Sequence, residues 1–358
     1  MSATLSAPAT STATTPALTE AYYTICPVLT ASNVAVELGW LDEEFKRVGA
    51  KATYLRSLPD NAGWIPHYTH SLDPLFRDGG SIPTIQARAD LTRTKLIALT
   101  WAQTGGQIVI RVASGINRVE DLQGRRIGLF KSLNRAKIDF SRATAERGIL
   151  LALKLAGLRR ADVQIVDIED ADDHRFTIAT KPAELWSQSR AARLASGPDI
   201  EALKEGRVDA IYANHGRSHS LVKTGEYKII EDLANHPDWT LQVANGPFTT
   251  AVSADFAEKH PEVIVAWLRA AIRAGRWINA NRAAAAEIFK RVTFFSCAKQ
   301  IERAIAHYDF VPNLSAQNLA ATTIEKNFLR DHGYVKNDFD VATQWADRRF
   351  LDEALRSL

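Results

Sequence analysis

The chain has 358 residues and a mass of 39.5 kDa, which on a prior of about 150 residues per domain predicts two domains. Lys and Arg number 44 against 41 Asp and Glu, and the formal net charge of +3 is too small to indicate nucleic-acid binding. Hydrophobic residues make up 46% and charged residues 24%, as in a soluble globular protein. With only two cysteines, Cys26 and Cys297, a disulfide framework is excluded and a reducing compartment is favoured.

The N-terminal segment, residues 1–19, is rich in Ala, Ser and Thr and has no periodic apolar pattern, which predicts a disordered leader. It contains neither the basic stretch nor the apolar run of about seven residues that a secretory signal requires. An apolar run of roughly 18 residues, as needed for a membrane span, does not follow. We therefore expect a cytoplasmic protein that does not associate with membranes.

From residue 21 onward, strand-like and helix-like segments alternate along the chain. A first strand ending at Ile25 precedes a short helix that ends at Gly39, and a helix over 143–156 is stopped by Gly157 before the next strand. This alternation predicts an α/β architecture with largely parallel sheets, whereas residues 254–358 predict mainly helices. A second helix is predicted over 199–205, and further strands are predicted over 52–55, 96–100, 108–112, 126–129, 163–168 and 210–212.

Cys26 lies between the first strand and the following helix. An isolated cysteine is usually a small buried side chain, but a thiol near a helix N-terminus loses its proton more easily and can act as a nucleophile. Cys297 has no such setting, and we expect it to lie in the core.

Residues 64–83 form the most informative segment, because two histidines, an arginine, a glycine pair and several aromatic residues fall together. A solvated loop would not carry so many apolar side chains, so part of the segment should be buried. Arg77 beside Gly79 and Gly80 could present a planar, two-pronged donor next to unobstructed backbone N–H groups, which suits a small oxyanion. The composition also fits an ordinary packed loop.

Other motifs give weaker signals. His215 and His219 have the i, i+4 spacing of a zinc site on a helix, but no third ligand is evident, so we expect surface histidines. The acidic run at 169–174 lacks the spacing of a calcium loop and predicts a solvated loop. Dinucleotide, phosphate-loop and esterase motifs are not found in the sequence.

Several short segments carry a recognisable pattern. They are 114–128 (SGINRVEDLQGRRIG), 155–158 (LAGL), 161–163 (ADV), 206–210 (GRVDA) and 259–262 (KHPE). They resemble the periplasmic-binding-protein-like proteins of the taurine, aliphatic sulfonate and thiamine-precursor group, and the resemblance covers nearly the whole chain after residue 20. It implies an α/β fold of type II with two lobes and a ligand cleft between them. Lobe 1 would comprise 20–113 and 245–358, and lobe 2 would be the inserted segment 114–244.

Three further motifs are more specific. They are Cys26-Pro27-Val28 after the first strand; His67 followed by Arg77, Gly80 and Ile82-Pro83; and Gln344-Trp345-Ala346 with Phe350-Leu351 near the C-terminus. Together they resemble the 2'-hydroxybiphenyl-2-sulfinate desulfinase family of the dibenzothiophene-desulfurisation pathway. Tyr68 and Leu72 replace a Phe and a Gln of that family, and the helix near Thr144 lacks its Trp. The organic part of the substrate, whether biphenyl, another aryl group or a smaller one, is therefore open.

The resemblance implies a cofactor-independent desulfinase without a metal, which hydrolyses the C–S bond of an organic, aryl-type sulfinate and releases sulfite. Its partner would be this small molecule, with no nucleic acid or membrane, and the enzyme would be a monomer. Arg77 would hold the sulfinate oxygens with help from Gly79 and the Gly80 N–H, and Tyr68 would line the substrate site.

The remaining two roles follow from the same resemblance. Cys26 would attack sulfur as a thiolate or give a proton to the leaving carbon, and His67 would orient or deprotonate the thiol. A solute-binding protein that feeds a sulfonate to an ABC transporter is the main alternative; it predicts an export signal or lipid-attachment cysteine, which this sequence does not show. A pyrimidine-precursor synthase would need a cysteine-rich iron motif that two isolated cysteines cannot supply.

Overall fold

The computed structural model describes residues 20–100, 106–173, 178–187, 196–242 and 246–358. The predicted leader, 1–19, lies outside the described residues. Two five-stranded sheets form the centre of the molecule, and helices cover them. The strands are β1 (Ala21–Ile25), β2 (Ala52–Tyr54), β3 (Leu75–Gly79), β4 (Thr94–Thr100), β5 (Gly106–Arg111), β6 (Arg126–Ser132), β7 (Gln164–Asp170), β8 (Ala210–Asn214), β9 (Tyr227–Asp232) and β10 (Phe248–Ser253).

Each sheet contains one strand that runs against the others. The first sheet has the order β2-β1-β3-β10-β4, with β1 parallel to β2 and β3, and β10 antiparallel to β3 and β4. The second sheet has the order β7-β6-β8-β5-β9, with β6 parallel to β7 and β8, and β5 antiparallel to β8 and β9. Four of the five strands in each sheet therefore run in the same direction, in keeping with the prediction of largely parallel sheets, and the single reversed strand makes each sheet mixed. Each reversed strand is the first strand after the chain crosses to the other sheet, so it enters from the opposite end.

The chain changes sheets earlier than the predicted lobe boundary at residue 113. Strand β5 pairs only with strands of the second sheet, although the prediction placed it in lobe 1. The predicted boundary was drawn at the start of the 114–128 motif, and this motif begins only after β5 has ended at Arg111. The division into two lobes stays a prediction. The chain passes from the first sheet to the second between the end of β4 at Thr100 and the start of β5 at Gly106.

The helices predicted after the first strand, over 143–156 and over 199–205 are present, and residues 254–358 are mainly helical, as predicted. The helices Trp40–Arg47, Trp64–Thr69, Ser81–Gln86 and His215–Val222 were not predicted. The predicted helix over 143–156 begins earlier, because Asp139 caps it by accepting a hydrogen bond from the Arg142 N–H. The helices are α1 (Ala31–Glu37), α2 (Trp40–Arg47), α3 (Trp64–Thr69), α4 (Ser81–Gln86), α5 (Phe140–Leu155), α6 (Pro198–Lys204), α7 (His215–Val222), α8 (Ala254–Lys259), α9 (Pro261–Ala280), α10 (Arg282–Val292), α11 (Ala298–Ile305), α12 (Ala316–Asp331) and α13 (Arg348–Arg356).

Strand β3 packs against α9, the longest of the described helices. All five residues of β3 are buried, and its Phe76 ring stacks on Trp267 of α9 with ring centroids 4.7 Å apart and planes 8° apart. Burial of two such large apolar side chains contributes about 1.5–3 kcal/mol each. This packing holds β3 rigidly at the centre of the first sheet. The next residues of β3 can therefore position polar side chains accurately.

Candidate active site

Cys26 is held at the end of β1 by three backbone contacts. Its N–H donates to the carbonyl of Asp78 on the neighbouring strand at 2.9 Å, which extends the β1–β3 ladder by one residue. The side-chain amide of Asn33 donates to the carbonyls of Cys26 and Val28 at 3.1 and 2.9 Å. These bonds fix the turn between β1 and α1. The thiol is partly buried and points toward β3 and α3.

His67 lies on α3 with its ring between the thiol and a threonine. Nε2 is 3.6 Å from the Cys26 sulfur, and Nδ1 is 2.6 Å from the hydroxyl of Thr24. Burial is the largest cause that lowers the pKa of His67 well below its usual 6.5, and the positive charges of Arg77, Arg56 and Lys137 lower it further. The imidazole is therefore neutral at pH 7, and it gains a proton readily only when a negative charge forms beside it.

Arg77 lies on β3 with its guanidinium fully buried beside the thiol. Nε donates to the carbonyl of His67 and Nη1 to the carbonyl of Gly80, each at 2.8 Å. Nη2 lies 3.6 Å from the Cys26 sulfur. The geometry differs from the predicted two-pronged anion cradle, because backbone carbonyls already bind two of the three nitrogens. Only the Nη2 end faces the Cys26 sulfur.

The glycine pair serves the site in two ways. Gly79 has a φ of +147°, and a Cβ on it would lie 2.3 Å from the Cys26 sulfur, so no other residue fits without displacing the thiol. Gly80 uses its carbonyl to bind Arg77, whereas the prediction gave it an N–H donor role toward the substrate. The N–H role stays a prediction.

Tyr68 forms a buried wall next to His67. Its ring meets the His67 ring edge-on with centroids 4.8 Å apart, and it stacks on Phe140 of α5 at 5.9 Å. The ammonium of Lys137 lies 5.1 Å from the centre of the Tyr68 ring. Both Phe140 and Lys137 follow strand β6, so segments that belong to the two sheets meet at this tyrosine. The predicted substrate contact of Tyr68 stays a prediction.

Sequence reasoning missed Thr24, Arg56 and Lys137. Thr24 precedes Cys26 by two residues on β1, and this spacing places two side chains on the same face of a strand, which was an available signal. No sequence signal pointed to Arg56 or Lys137, because contacts between residues far apart in the chain bring them to the site.

The acidic run is only partly the solvated loop that was predicted. Glu169 and Asp173 are exposed, but Asp172 is buried and forms an ion pair with Lys137. The last residue of the run, His174, lies outside the described residues.

Asp78, also on β3, is a buried carboxyl group behind Cys26. It accepts a hydrogen bond from the Ser32 hydroxyl of α1, and Thr250 of β10 also bonds to it. Burial raises its pKa from 3.8 to about 6, although these hydrogen bonds and the charge of Arg77 act in the opposite direction. Its protonation therefore changes near physiological pH.

Cys297 and the two spaced histidines lie elsewhere. Cys297 is partly exposed at the N-cap position of α11, so the prediction of a core residue was wrong. His215 and His219 are partly buried on α7 with ring centroids 4.0 Å apart. In the part of the chain that the structure describes, three His, Cys, Asp or Glu side chains are nowhere grouped so that they could hold a metal ion. The described helices include none with the length and hydropathy of a membrane span.

Comparisons with known proteins give sequence relatives over nearly the full chain. No family model matches the chain. The curated 2'-hydroxybiphenyl-2-sulfinate desulfinases of Rhodococcus erythropolis and Rhodococcus qingshengii are each 25% identical to it over 367 residues, which covers 93% of this chain and 93% of the relative.

Solved structures with the same fold include a desulfurization enzyme and periplasmic binding proteins. A mutant of a desulfurization enzyme in complex with biphenyl-2-sulfinic acid superposes with a TM-score of 0.72 at 22% identity, covering 95% of this chain and 99% of that one. The periplasmic aliphatic sulphonate binding protein of Escherichia coli gives a TM-score of 0.62 at 14% identity, with 93% of each chain covered. The predicted fold class is thus confirmed. The chain has the periplasmic-binding-protein-like α/β fold, and over nearly its whole length its sequence is similar to the 2'-hydroxybiphenyl-2-sulfinate desulfinases.

Proposed function

We propose that the chain is a desulfinase that hydrolyses the C–S bond of an organic sulfinate, with an aryl group as the favoured organic part. The overall reaction is R–SO₂⁻ + H₂O → R–H + HSO₃⁻. The observation that carries the proposal is the Cys26 thiol, which lies 3.6 Å from both the His67 imidazole and the Arg77 guanidinium. The desulfinase names of the sequence relatives support the same reaction.

His67 acts as the base for Cys26 in this proposal. When Nδ1–H donates to Thr24, the lone pair of Nε2 points to the thiol and can take its proton. The pKa of His67, lowered by burial and by nearby cations, keeps the imidazole neutral before the reaction. The resulting imidazolium and thiolate then lie next to each other. Thr24 is a positioning residue, because its hydroxyl lies 2.6 Å from Nδ1 and holds the ring in this orientation.

Arg77 stabilises the negative charges of the reaction. Its Nη2 carries two N–H groups, one of which can face the thiolate while the other donates to a sulfinate oxygen. The Gly80 N–H would bind a second sulfinate oxygen, and Tyr68 would contact the organic part. The positive charges of Arg56 and Lys137, which also act on His67, favour an anionic substrate at this place.

Two routes complete the reaction. In the first, the thiolate attacks sulfur, the carbon leaves with a proton, and water then releases sulfite from the sulfur–sulfur adduct on Cys26. In the second, Cys26 protonates the carbon as the C–S bond breaks, and water adds to the sulfur dioxide that leaves. Neither route requires a cofactor or a metal. Intact-mass measurement of enzyme quenched during turnover separates them, because only the first route leaves an adduct on Cys26.

The proposal is tested by measuring sulfite release from a panel of aryl and alkyl sulfinates. Cys26→Ser should retain the fold and lose sulfite release, because a hydroxyl at neutral pH is a far weaker nucleophile than a thiolate. Cys297→Ser is the matched control and should keep wild-type rates, since Cys297 lies on α11 away from His67 and Arg77. Sulfite release at the wild-type rate by Cys26→Ser would refute the role of this thiol.

The same assay distinguishes the alternative function, a carrier of sulfonates. Its support is the fold, which is shared with periplasmic sulfonate-binding proteins. A carrier would bind one sulfonate or sulfinate per chain, release no sulfite and be found in the periplasm. The enzyme we propose works as a monomer in the cytoplasm, so cell fractionation and size-exclusion chromatography of the active protein check these two points.

A further inference from the structure

Lys137 is a buried cation that the second sheet brings to the site built on the first sheet. It lies in the segment that joins β6 to α5, and only 1% of its side chain is exposed. Its ammonium forms an ion pair with Asp172, which follows β7. Lysine is almost never fully buried unless it is paired. Both partners of this pair therefore come from the second sheet, whereas Cys26, His67 and Arg77 lie on elements of the first.

Asp172 is held in place by three further hydrogen bonds. Its carboxylate accepts one from the Ser132 hydroxyl at 2.7 Å, and its carbonyl accepts one from the Asn134 side-chain amide at 3.0 Å. Its N–H donates to the Asp170 carboxylate at 2.7 Å. These bonds join the ends of the neighbouring parallel strands β6 and β7. The second sheet therefore fixes the carboxylate, and the carboxylate fixes the ammonium of Lys137.

The ammonium of Lys137 also contacts the aromatic wall of the site. It lies 5.1 Å from the centre of the Tyr68 ring and 5.5 Å from the centre of the Phe140 ring, within the range of a cation–π interaction. The Tyr68 ring in turn meets the His67 ring edge-on, with centroids 4.8 Å apart. A continuous series of contacts therefore leads from Lys137 through Tyr68 to His67.

The charged side chains that act on His67 are all positive in the part of the chain that the structure describes. The titratable and charged groups that face its ring are Cys26 of β1, Arg56 after β2, Tyr68 of α3, Arg77 of β3 and Lys137. Lys137 alone among them comes from the second sheet. A cation beside the imidazole disfavours a second positive charge there and favours the anionic form of a nearby thiol.

We propose that Lys137 is a positioning residue of the desulfinase site: it holds Tyr68 against His67 and places a fixed positive charge next to this base. The inference rests on the proposed function, because it assigns Lys137 a role in the reaction of the Cys26–His67 pair. The charge keeps His67 unprotonated until it takes the proton of Cys26, and it stabilises the thiolate that forms. Lys137 itself exchanges no proton.

The test uses charge variants of the full chain carrying Cys297→Ser, in which Cys26 is the only thiol. Lys137→Gln with Asp172→Asn removes both charges and leaves no unpaired buried carboxylate; Lys137→Met with Asp172→Asn is a second neutral pair. Asparagine suits the left-handed backbone at this position, where φ is +49°. Lys137→Arg keeps the charge and can stack on the aromatic rings. Lys131→Met is the matched control, because Lys131 also forms ion pairs between β6 and β7 but does not act on the imidazole.

The first measurement is the pH dependence of Cys26 alkylation by iodoacetamide, which requires no turnover. In both neutral pairs the pH of half-maximal alkylation should rise by at least about half a unit, because a weakly screened positive charge no longer favours the thiolate. The acidic limb of kcat/KM for sulfite release should move in the same direction. Lys137→Arg and Lys131→Met should keep the profiles of the Cys297→Ser parent.

The two measurements separate this role from the proposed function. An unchanged alkylation profile in a neutral pair that unfolds cooperatively in urea would overturn the role of Lys137, whether or not the protein releases sulfite. A shifted profile in Lys137→Arg as large as in the neutral pairs would also overturn it, because the charge is then not what matters. A shifted alkylation profile in the neutral pairs alone, in a protein that releases no sulfite, would support the action of Lys137 on the thiol and refute the desulfinase.

Discussion

Cys26 can occupy its position because residue 79 has no side chain. The close approach of the Gly79 backbone to the Cys26 sulfur, with a φ of +147°, leaves no room for a methyl group. We expect Gly79→Ala to move the thiol away from His67 and Arg77 and to reduce sulfite release at least about tenfold, the effect of roughly 1.4 kcal/mol on the barrier. Thiol alkylation rates and sulfite release, measured on the same preparation, check this displacement.

Gly225→Ala is the control for the backbone effect. Gly225 has a φ of +77°, and a Cβ on it would meet nothing within 4 Å. Alanine should therefore cost only about 1 kcal/mol of folding stability through its left-handed backbone and should leave sulfite release unchanged. Equal activity losses in both variants would contradict the steric explanation for Gly79.

In the proposed mechanism, Arg77 both binds two backbone carbonyls and stabilises negative charge at the thiol. Lys at this position would keep the charge but lose the planar group that binds the His67 and Gly80 carbonyls while Nη2 faces the thiol. We expect Arg77→Lys to reduce kcat/KM for sulfinate at least about tenfold, or roughly 1.4 kcal/mol. Steady-state kinetics on the folded variant give the value, and wild-type kinetics would show that charge alone suffices.

At the level of elements, Asp78 joins strand β3 to helix α1 and strand β10. Its pKa is higher in the folded protein, about 6, than the ordinary 3.8, because burial disfavours the carboxylate. The group therefore stabilises the fold fully below about pH 3.8, and this contribution is lost as the pH rises through 6. Its size is on the order of 3 kcal/mol.

Asp78→Asn mimics the protonated carboxyl group and should remove this dependence. We expect the variant to unfold at higher urea concentration than wild type at pH 7, and the two proteins to converge as the pH falls toward 4. Asp60→Asn, which changes an exposed carboxyl group, should show no such trend. Parallel urea curves at all pH values for Asp78→Asn and wild type would exclude a buried, titrating Asp78.

The strands and helices differ in how clearly the sequence predicts them. The strand before Cys26, the capped helix α5 and the helical C-terminal third were predictable because their apolar periodicity is clear. Strand β3 was not, since it is buried on both faces and carries Arg77 and Asp78, so it lacks the alternation that marks a strand. Strand β10 was missed as well. The site residues were predicted from the resemblance to a family. Thr24 could have been found from its spacing to Cys26, whereas Arg56 and Lys137 depend on contacts that only the folded chain shows.

On the scale of the whole molecule, a buried ion pair links the parts built on the two sheets. Arg147 of α5 lies 3.6 Å from Glu325 of α12, and the carboxylate is completely buried. Tyr334, just after α12, also donates to Glu146 of α5 at 2.6 Å. These polar contacts hold α5, which carries Phe140 next to Tyr68, in a fixed position relative to the first sheet.

Removing the cation of this pair should be costly. Arg147→Met leaves the buried carboxylate of Glu325 without its guanidinium, and we expect a loss of about 3–5 kcal/mol of folding stability. Arg330→Met is the comparison, because Arg330 pairs with Asp331 and Asp338 at the surface and each pair should contribute only about 0–1 kcal/mol. Urea unfolding of both variants measures the difference, and similar midpoints would mean that the Arg147–Glu325 pair does not hold the two parts together.

The reversed strand β10 has a consequence for how the protein is made. It lies between β3 and β4, yet it begins at Phe248, long after β4 ends at Thr100. All described strands of the second sheet are therefore synthesised before β10. Until β10 is present, β3 and β4 lack the strand that pairs with both of them, and their facing edges are unpaired. A nascent chain that has not reached Ser253 already contains Cys26, His67 and Arg77 but not the strand that locks β3 beside them. The residues of the proposed site are among the first to be synthesised, and β10, which pairs with β3, is the last of the described strands to be synthesised.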